Sequence, residues 1–409
     1  MSPSITRKTR CHALLAILFT AAASAAQPPT WVTSWATAQQ TPEPRNALPD
    51  EALTDATLRQ SVHLSLGGKT WRLRLSNAFG RAPLRIGAAR VARAMAPGSA
   101  AIDPAHDTPV LFDGRAEVIL PAGAEYLSDP FAFDAAPGAV LSISLYLPEA
   151  PQGQTSHPGS RTTSHLVHGN QVTAAELRDS MTFEHWFVIA GLDVAASARA
   201  SAVVILGDSI ADGRGTTTNG NNRWSDNLAA RLMAARLPVA VLNAGIGGNR
   251  LLDDGLGPNA LARFDRDVLS PSGVRWLIVH EGINDLGTFG AQRTDADHHE
   301  LVTRIIAAYR QIIDRAHAHG IKVVGGTLTP FDGPTYQAGA RGEADRAAIN
   351  AWIRAPGHFD AVADFDQVLR DPERPLHLRA EFDTGDNLHP SPKGYQVMAE
   401  AIPLSVFRP

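Results

Sequence analysis

Val203-Val204-Ile205-Leu206-Gly207-Asp208-Ser209 is a run of aliphatic side chains that ends in a glycine, a carboxylate and a hydroxyl. A short apolar run closed by glycine reads as a strand buried on both faces, the kind found in parallel sheets. The chain downstream repeats the pattern. After the strand at residues 202–206 comes a helical segment at 224–235, then strands at 239–242 and 276–279, the latter led in by Val274. Residues 301–319 follow as a long amphipathic helix with Val302, Ile305, Ile306, Tyr309, Ile312, Ile313 and Ala316 at helical spacing. A strand at 322–325, a helix at 344–353 and a short strand at 361–363 complete the series. Strands alternating with helices predict a parallel sheet with helices on both faces. Reactive groups on such a sheet collect beyond the carboxyl ends of its strands.

Upstream the character is different. Residues 57–192 carry short strand-like runs with Gly and Pro punctuation and no long helical periodicity, which predicts a sandwich or jelly roll. Val62, Leu64 and Leu66 alternate with polar residues, Gly67-Gly68 follows, and Trp71, Leu73 and Leu75 alternate again. That spacing predicts a hairpin with one apolar face. Further strands are expected over 84–91, 117–120, 140–147 and 187–192. The small polar stretch 193–201 reads as a linker. The expected division is therefore a leader at 1–26, a β-rich domain at 27–198 and an α/β domain at 199–409.

The leader is read from Arg7, Lys8 and Arg10, the apolar run at 13–19 and the small residues before Gln27-Pro28-Pro29. This is the layout of a secretory signal, with cleavage expected at Ala25 or Ala26 and a secreted or periplasmic product. A membrane anchor is the competing reading, but the apolar run is short for a span. Cys11 is the single cysteine, so the processed chain would have no disulfide and no cysteine chemistry. It would carry 34 basic against 41 acidic residues, a net charge of −7. A mildly acidic surface argues against nucleic acid or an anionic membrane as partner.

Four segments carry candidate chemistry. Ser209 leaves the first strand directly, and Gly207 lets the backbone turn closely there; the plainer reading is a helix cap. Asn243-Ala244-Gly245-Ile246-Gly247-Gly248-Asn249 follows the second strand, and its glycine N–H groups could face a developing oxyanion or form only a turn. His280-Glu281-Gly282-Ile283-Asn284-Asp285 follows the third strand. Asn284 offers a neutral amide donor, and because Asn284 stands four after His280, the zinc-protease pattern fails. Near the end, Asp386-Asn387-Leu388-His389-Pro390 puts a carboxylate three residues before an imidazole. Asp386 could fix the tautomer of His389, which could then take a proton from Ser209. Two unconnected loop residues are the alternative, and Asp383 is a remoter substitute for Asp386. His317 and His319 read as cations near a helix C-terminus. Arg214, Arg223, Trp224 and Arg250 lie near the first two segments and read as ordinary helix and loop residues rather than substrate contacts.

All four segments arrive in order. Gly207-Asp208-Ser209, Gly248, Gly282-x-Asn284-Asp285 and Asp386-x-x-His389-Pro390 resemble the four sequence blocks of the SGNH/GDSL hydrolases over residues 202–405. The resemblance implies a flavodoxin-like three-layer α/β/α domain and ester hydrolysis with neither cofactor nor metal. It implies Ser209 as nucleophile, His389 as base, Asp386 as orienter, and the N–H groups of Ser209 and Gly248 with the Asn284 amide as oxyanion donors. Gly247 competes with Gly248 for the second role. After the first block, Ile210-Ala211-Asp212-Gly213 keeps only the Gly of the family's usual Thr and Gly.

Trp31-Val-Thr-Ser-Trp35 followed by a β-rich region and then the hydrolase resembles the xylanase-cluster esterase-like branch of that family. That implies an acetylated carbohydrate such as xylan as substrate. A broad esterase or lipase for short acyl or aryl esters, a non-catalytic carbohydrate-binding protein and an acyltransferase are the competing readings. With His389 as base, activity is expected to fall below about pH 6.5, shifted by Asp386.

Overall fold

In the computed structural model, which describes residues 1, 3, 30–290 and 292–408, the strand Ser201–Gly207 runs between Val239–Gly245 and Val274–His280. Lys322–Gly326 and Ala361–Ala363 extend the sheet beyond the third strand. All neighbours are parallel, and in order along the chain the strands lie 2-1-3-4-5. Gly207 is in register with both Gly245 and His280. Three strands thus stop at one level, on either side of the point where the order reverses, which is where open parallel sheets place their ligands. Residues 202–206 are fully buried, as their unbroken apolar run requires.

Helix Trp224–Ala234 packs with Pro392–Ala401, and helix Asp295–Ala318 packs with Gly339–Arg354. The long helix begins six residues earlier than its apolar periodicity indicates. Thr294 caps it, with Thr294 Oγ1 accepting from Asp297 N and the Asp297 carboxylate accepting from Thr294 N. A polar first turn carries no apolar period, so the stripe alone could not show it.

The β-rich part is built on two large antiparallel sheets, beside two two-stranded ones, Leu84–Ile86 with Val118–Leu120 and Ser156–His157 with Trp186–Phe187. One large sheet joins Thr30–Ala36, Ile189–Ala196, Gly68–Ser76 and Glu125–Leu127, with Phe131–Ala135 also paired to Gly68–Ser76. The other has six strands in the order Met181–Phe183, Ser164–His168, Ala56–His63, Val140–Leu147, Ala88–Ala94 and Ile102–Val110. The expected hairpin is therefore not formed. Ala56–His63 and Gly68–Ser76 lie in different sheets, and Leu64 exchanges backbone hydrogen bonds with Gly138 and Ala139 instead. Their apolar faces still meet, since Leu58, Val62, Leu64, Trp71, Leu73 and Leu75 share one core. Alternation reports which face is buried and does not report the pairing partner.

The expected linker is also shorter than read. The strand Ile189–Ala196 runs through Asp193, and the next strand starts at Ser201. Asp193 is fully buried and accepts from Thr33 Oγ1 at 2.6 Å, Arg72 Nε at 2.9 Å and Ser272 Oγ at 3.0 Å. It ties two strands of the β-rich part to the loop before Val274–His280. Most of the leader expected at residues 1–26 lies outside the described residues, Cys11 included. Among the described residues, no helix is long and apolar enough to cross a membrane.

Candidate active site

Gly207 ends the first strand against the neighbouring backbone. A Cβ there would stand 2.4 Å from His280 O, so only glycine lets the two strand ends close. Asp208 then caps the short helix Ser209–Asp212, its Oδ1 accepting from Ile210 N at 2.9 Å. This turn sets Ser209 at the carboxyl end of the sheet, buried, with its Oγ 2.9 Å from His389 Nε2.

His389 reaches Ser209 across 180 residues. Its Nδ1 donates to Asp386 Oδ2 at 2.6 Å. A carboxylate can only accept, so the ring hydrogen sits on Nδ1 and Nε2 is left to accept from the serine hydroxyl. The loop that presents this pair is bound to itself. Asp386 Oδ1 accepts from the N–H groups of His389 at 2.8 Å and Leu388 at 3.1 Å. Asn387, at φ +51°, bonds Leu378 N and Asp332 O through its side chain. Asp383 accepts from the N–H groups of Gly385 and Asn387, which shapes the loop and leaves the imidazole to Asp386.

Burial alone would raise the Asp386 carboxyl, but the hydrogen bonds from His389 override it and hold the group below the usual range. Burial lowers the His389 imidazole; Asp386 opposes this, Arg214 and Arg161 reinforce it, and the net value lies below the usual 6.5. The carboxylate was the only influence legible in the sequence. Desolvation outweighs it.

Gly248 follows the second strand with φ +73°, where a Cβ would stand 2.7 Å from Leu256 Cδ1. Gly247 would meet no such obstacle, its nearest neighbour being Asp212 Oδ2 at 3.8 Å. Asn284 is buried in the helix Ile283–Phe289, with Nδ2 donating to Asn249 O at 2.8 Å and Oδ1 accepting from Tyr336 Oη at 2.7 Å. The Asn249 carbonyl cannot donate, so the amide orientation is fixed. The second Nδ2 hydrogen is left for the cleft. Ser209, His389, Gly247, Gly248 and Asn284 all line one cleft of about 270 Å³.

Several contributors carried little signal in the sequence. Arg263 is fully buried and donates to Gly207 O, Ala244 O, Asn249 Oδ1 and Asp267 Oδ2. It holds two strand ends and, through Asn249, the residue that bonds Asn284. The one hint was a lone arginine within Ala260-Leu261-Ala262-Arg263-Phe264. Beside it, burial pushes Asp208 up to about 7, Asp285 up to about 6 and Glu281 well above the carboxylate range. Asp285 nonetheless accepts from Leu251 N and Leu252 N, fixing the loop after Gly248.

Of the four residues singled out near the first two segments, Arg223 bonds Asp212 O, the Asp226 carboxylate and Ser160 O. Trp224 is buried and donates to Ile210 O, and Arg250 donates to Asp254 O. Those three act in the framework, as read. Arg214 does not, since it lines the cleft. His280 is buried against Phe365, held down to about 4 by desolvation, and His317 bonds Asp360. Among the described residues, no group of His, Cys, Asp and Glu side chains is placed to hold a metal ion.

The β-rich part supplies one wall of the same cleft through residues 40–46 and 158–161. His157 crosses to the helix that starts at Ser209, with Nε2 2.9 Å from Asp212 Oδ1 and Nδ1 2.9 Å from Ala38 O.

The model of the GDSL-like Lipase/Acylhydrolase family matches residues 205–397. No curated protein matches the chain. Among solved structures, a GDSL-like lipase from Bacteroides thetaiotaomicron is 20% identical, the match covering 52% of this chain and 90% of that one at a TM-score of 0.38. A carbohydrate acetylesterase from Sinorhizobium meliloti is 17% identical, covering 50% and 98%, TM-score 0.38. An acetyl xylan esterase from Geobacillus stearothermophilus is 20% identical, covering 51% and 95%, TM-score 0.37. Residues 205–397 of this chain form a GDSL-like lipase/acylhydrolase domain.

Proposed function

We propose that the protein is an exported serine esterase that removes O-acetyl groups from carbohydrate through an acyl-enzyme. The observation that carries this is the hydrogen-bonded series Ser209 Oγ, His389 Nε2, His389 Nδ1, Asp386 Oδ2, with links of 2.9 and 2.6 Å. In the cycle, His389 takes the Ser209 proton as Oγ attacks the ester carbonyl. The oxyanion is held by the N–H groups of Ser209 and Gly248 and by the free Asn284 amide hydrogen. His389 then gives its proton to the departing alcohol. Water, deprotonated in turn by His389, cleaves the acyl-serine and releases the acid.

The substrate side of this reading is supported by the cleft wall. Gln40, Glu43, Asn46, Arg161 and Arg214 line it, and such a polar wall suits sugar hydroxyls better than a long acyl chain. We read the two helix pairs as covering opposite faces of the parallel sheet, in three layers, with domains at 27–198 and 199–409. From its layout we read the chain as a member of the xylanase-cluster esterase-like branch. Acetate release from acetylated polysaccharides, run beside p-nitrophenyl esters of increasing chain length with Ser209→Ala as control, tests the proposal. Preference for long acyl chains would favour a lipase instead, and full turnover by Ser209→Ala would overturn the mechanism.

A further inference from the structure

The cleft around Ser209 is lined by three arginines, Arg45 and Arg161 from the β-rich part and Arg214 from the loop after the nucleophile. None of their guanidinium groups has a hydrogen-bond or ion-pair partner among the described residues; Arg45 and Arg214 are exposed, whereas Arg161 is half-buried and its Nε is buried without a partner. For Arg161 this is unusual, because the arginines buried in this protein are paired: Arg59 bonds Ser144 and three carbonyls, Arg263 bonds Asp267, and Arg346 bonds Glu343 and Asp366. A half-buried guanidinium left without an acceptor loses hydration with no return, unless a ligand supplies the acceptor.

Two carboxylates share the cleft, and their charge must be counted. Glu43 accepts from Asn46 Nδ2 and keeps its charge available. Asp212 is different. The Ala38 carbonyl can only accept, so His157 Nδ1 carries a hydrogen. The bond between His157 Nε2 and Asp212 Oδ1 needs one more proton, on one atom or the other. Either way the His157–Asp212 pair is neutral. The lining therefore holds three positive charges against one negative, in a chain whose net charge is −4. A cleft of one sign in a protein of the other concentrates ligands of the opposite charge. The influence of Arg161 and Arg214 on the His389 imidazole places both within electrostatic reach of the reacting centre.

We propose that the alcohol part of the ester substrate carries a carboxylate, so that the preferred substrates are O-acetylated, uronate-bearing carbohydrates gripped by Arg45, Arg161 and Arg214. The β-rich part then determines specificity by supplying two of the three cations. This rests on the esterase reading above and names the substrate class for that same cleft.

The test compares kcat/KM on acetylated galacturonate oligomers with that on acetylated neutral xylo-oligomers, with p-nitrophenyl acetate as an uncharged reference. At low ionic strength the anionic oligomers are the better substrates, and the advantage shrinks at about 0.3 M salt while the neutral rates hold. Arg45→Gln and Arg161→Gln each lower the anionic-to-neutral ratio by about fivefold, mainly through KM. The salt series on the unaltered protein keeps the test decisive if a variant fails to fold. Equal rates on the two oligomers at low salt, or a ratio unmoved in both variants, would overturn the proposal. Turnover of p-nitrophenyl acetate without any anionic preference removes this inference and leaves the esterase reading standing. No turnover of any ester removes both.

Discussion

Replacing Asn284 by alanine deletes the one side-chain donor assigned to the oxyanion. The amide is already committed on two sides, Nδ2 to Asn249 O at 2.8 Å and Oδ1 to Tyr336 Oη at 2.7 Å, so it needs no reorganisation when charge develops. A preorganised donor of this kind contributes about 2.7–4 kcal/mol to the barrier, or roughly 10² to 10³ in kcat. Because the negative charge appears only in the transition state, KM should change little while kcat and kcat/KM fall together. Tyr336→Phe gives a graded companion. It leaves the amide in place and removes one hydrogen bond that orients it, worth about 1 kcal/mol, or roughly fivefold in kcat. The assay is steady-state hydrolysis of p-nitrophenyl acetate by both variants, with circular dichroism to check folding. An Asn284→Ala enzyme within threefold of the parent kcat, or one altered only in KM, would refute the assignment.

Other expectations follow from the same geometry. Catalysis needs the neutral imidazole, so kcat/KM falls as pH drops through the His389 pKa; burial puts that midpoint below 6.5, and a pH–rate profile centred above 7 would contradict it. Asp193→Ala leaves Arg72 without its carboxylate and two hydroxyls without their acceptor, a loss of about 3 kcal/mol in urea unfolding; a change under about 1 kcal/mol would show that the junction is not held there. Asp208→Asn keeps the cap to Ile210 N and removes a titrating carboxyl. Since the folded value is raised to about 7, the parent's stability from this group is present at acid pH and is lost as pH rises from about 4 to about 7. The stability difference between variant and parent should therefore grow over that window, and a difference independent of pH would count against a raised Asp208.

Asp386 and His389 were legible from their three-residue spacing, and the other three segments of the site because each follows a buried strand, and parallel strands end at one level. Chain order therefore became spatial proximity without any knowledge of loops. Their support was not legible. Arg263, Tyr336 and His157 hold the site through contacts that include residues 56, 52 and 55 positions away, and little in their local sequence marks them. The hairpin across Gly67-Gly68 failed for a related reason, because two strands that feed one core satisfy the same alternation whether or not they pair. Asp193 was hidden by its neighbours, since small residues read as a linker even where the first residue of the segment is a fully buried ion-pair partner.

Ester cleavage by this mechanism requires that Ser209 be made nucleophilic by His389. Labelling with a phosphonylating or phosphorylating serine reagent, followed by peptide mass spectrometry, tests it most directly. The expected result is one adduct per chain on the peptide containing Ser209, formed in step with loss of esterase activity and greatly slowed in His389→Ala. Complete inactivation with Ser209 unmodified, or an equal labelling rate without the imidazole, would contradict it.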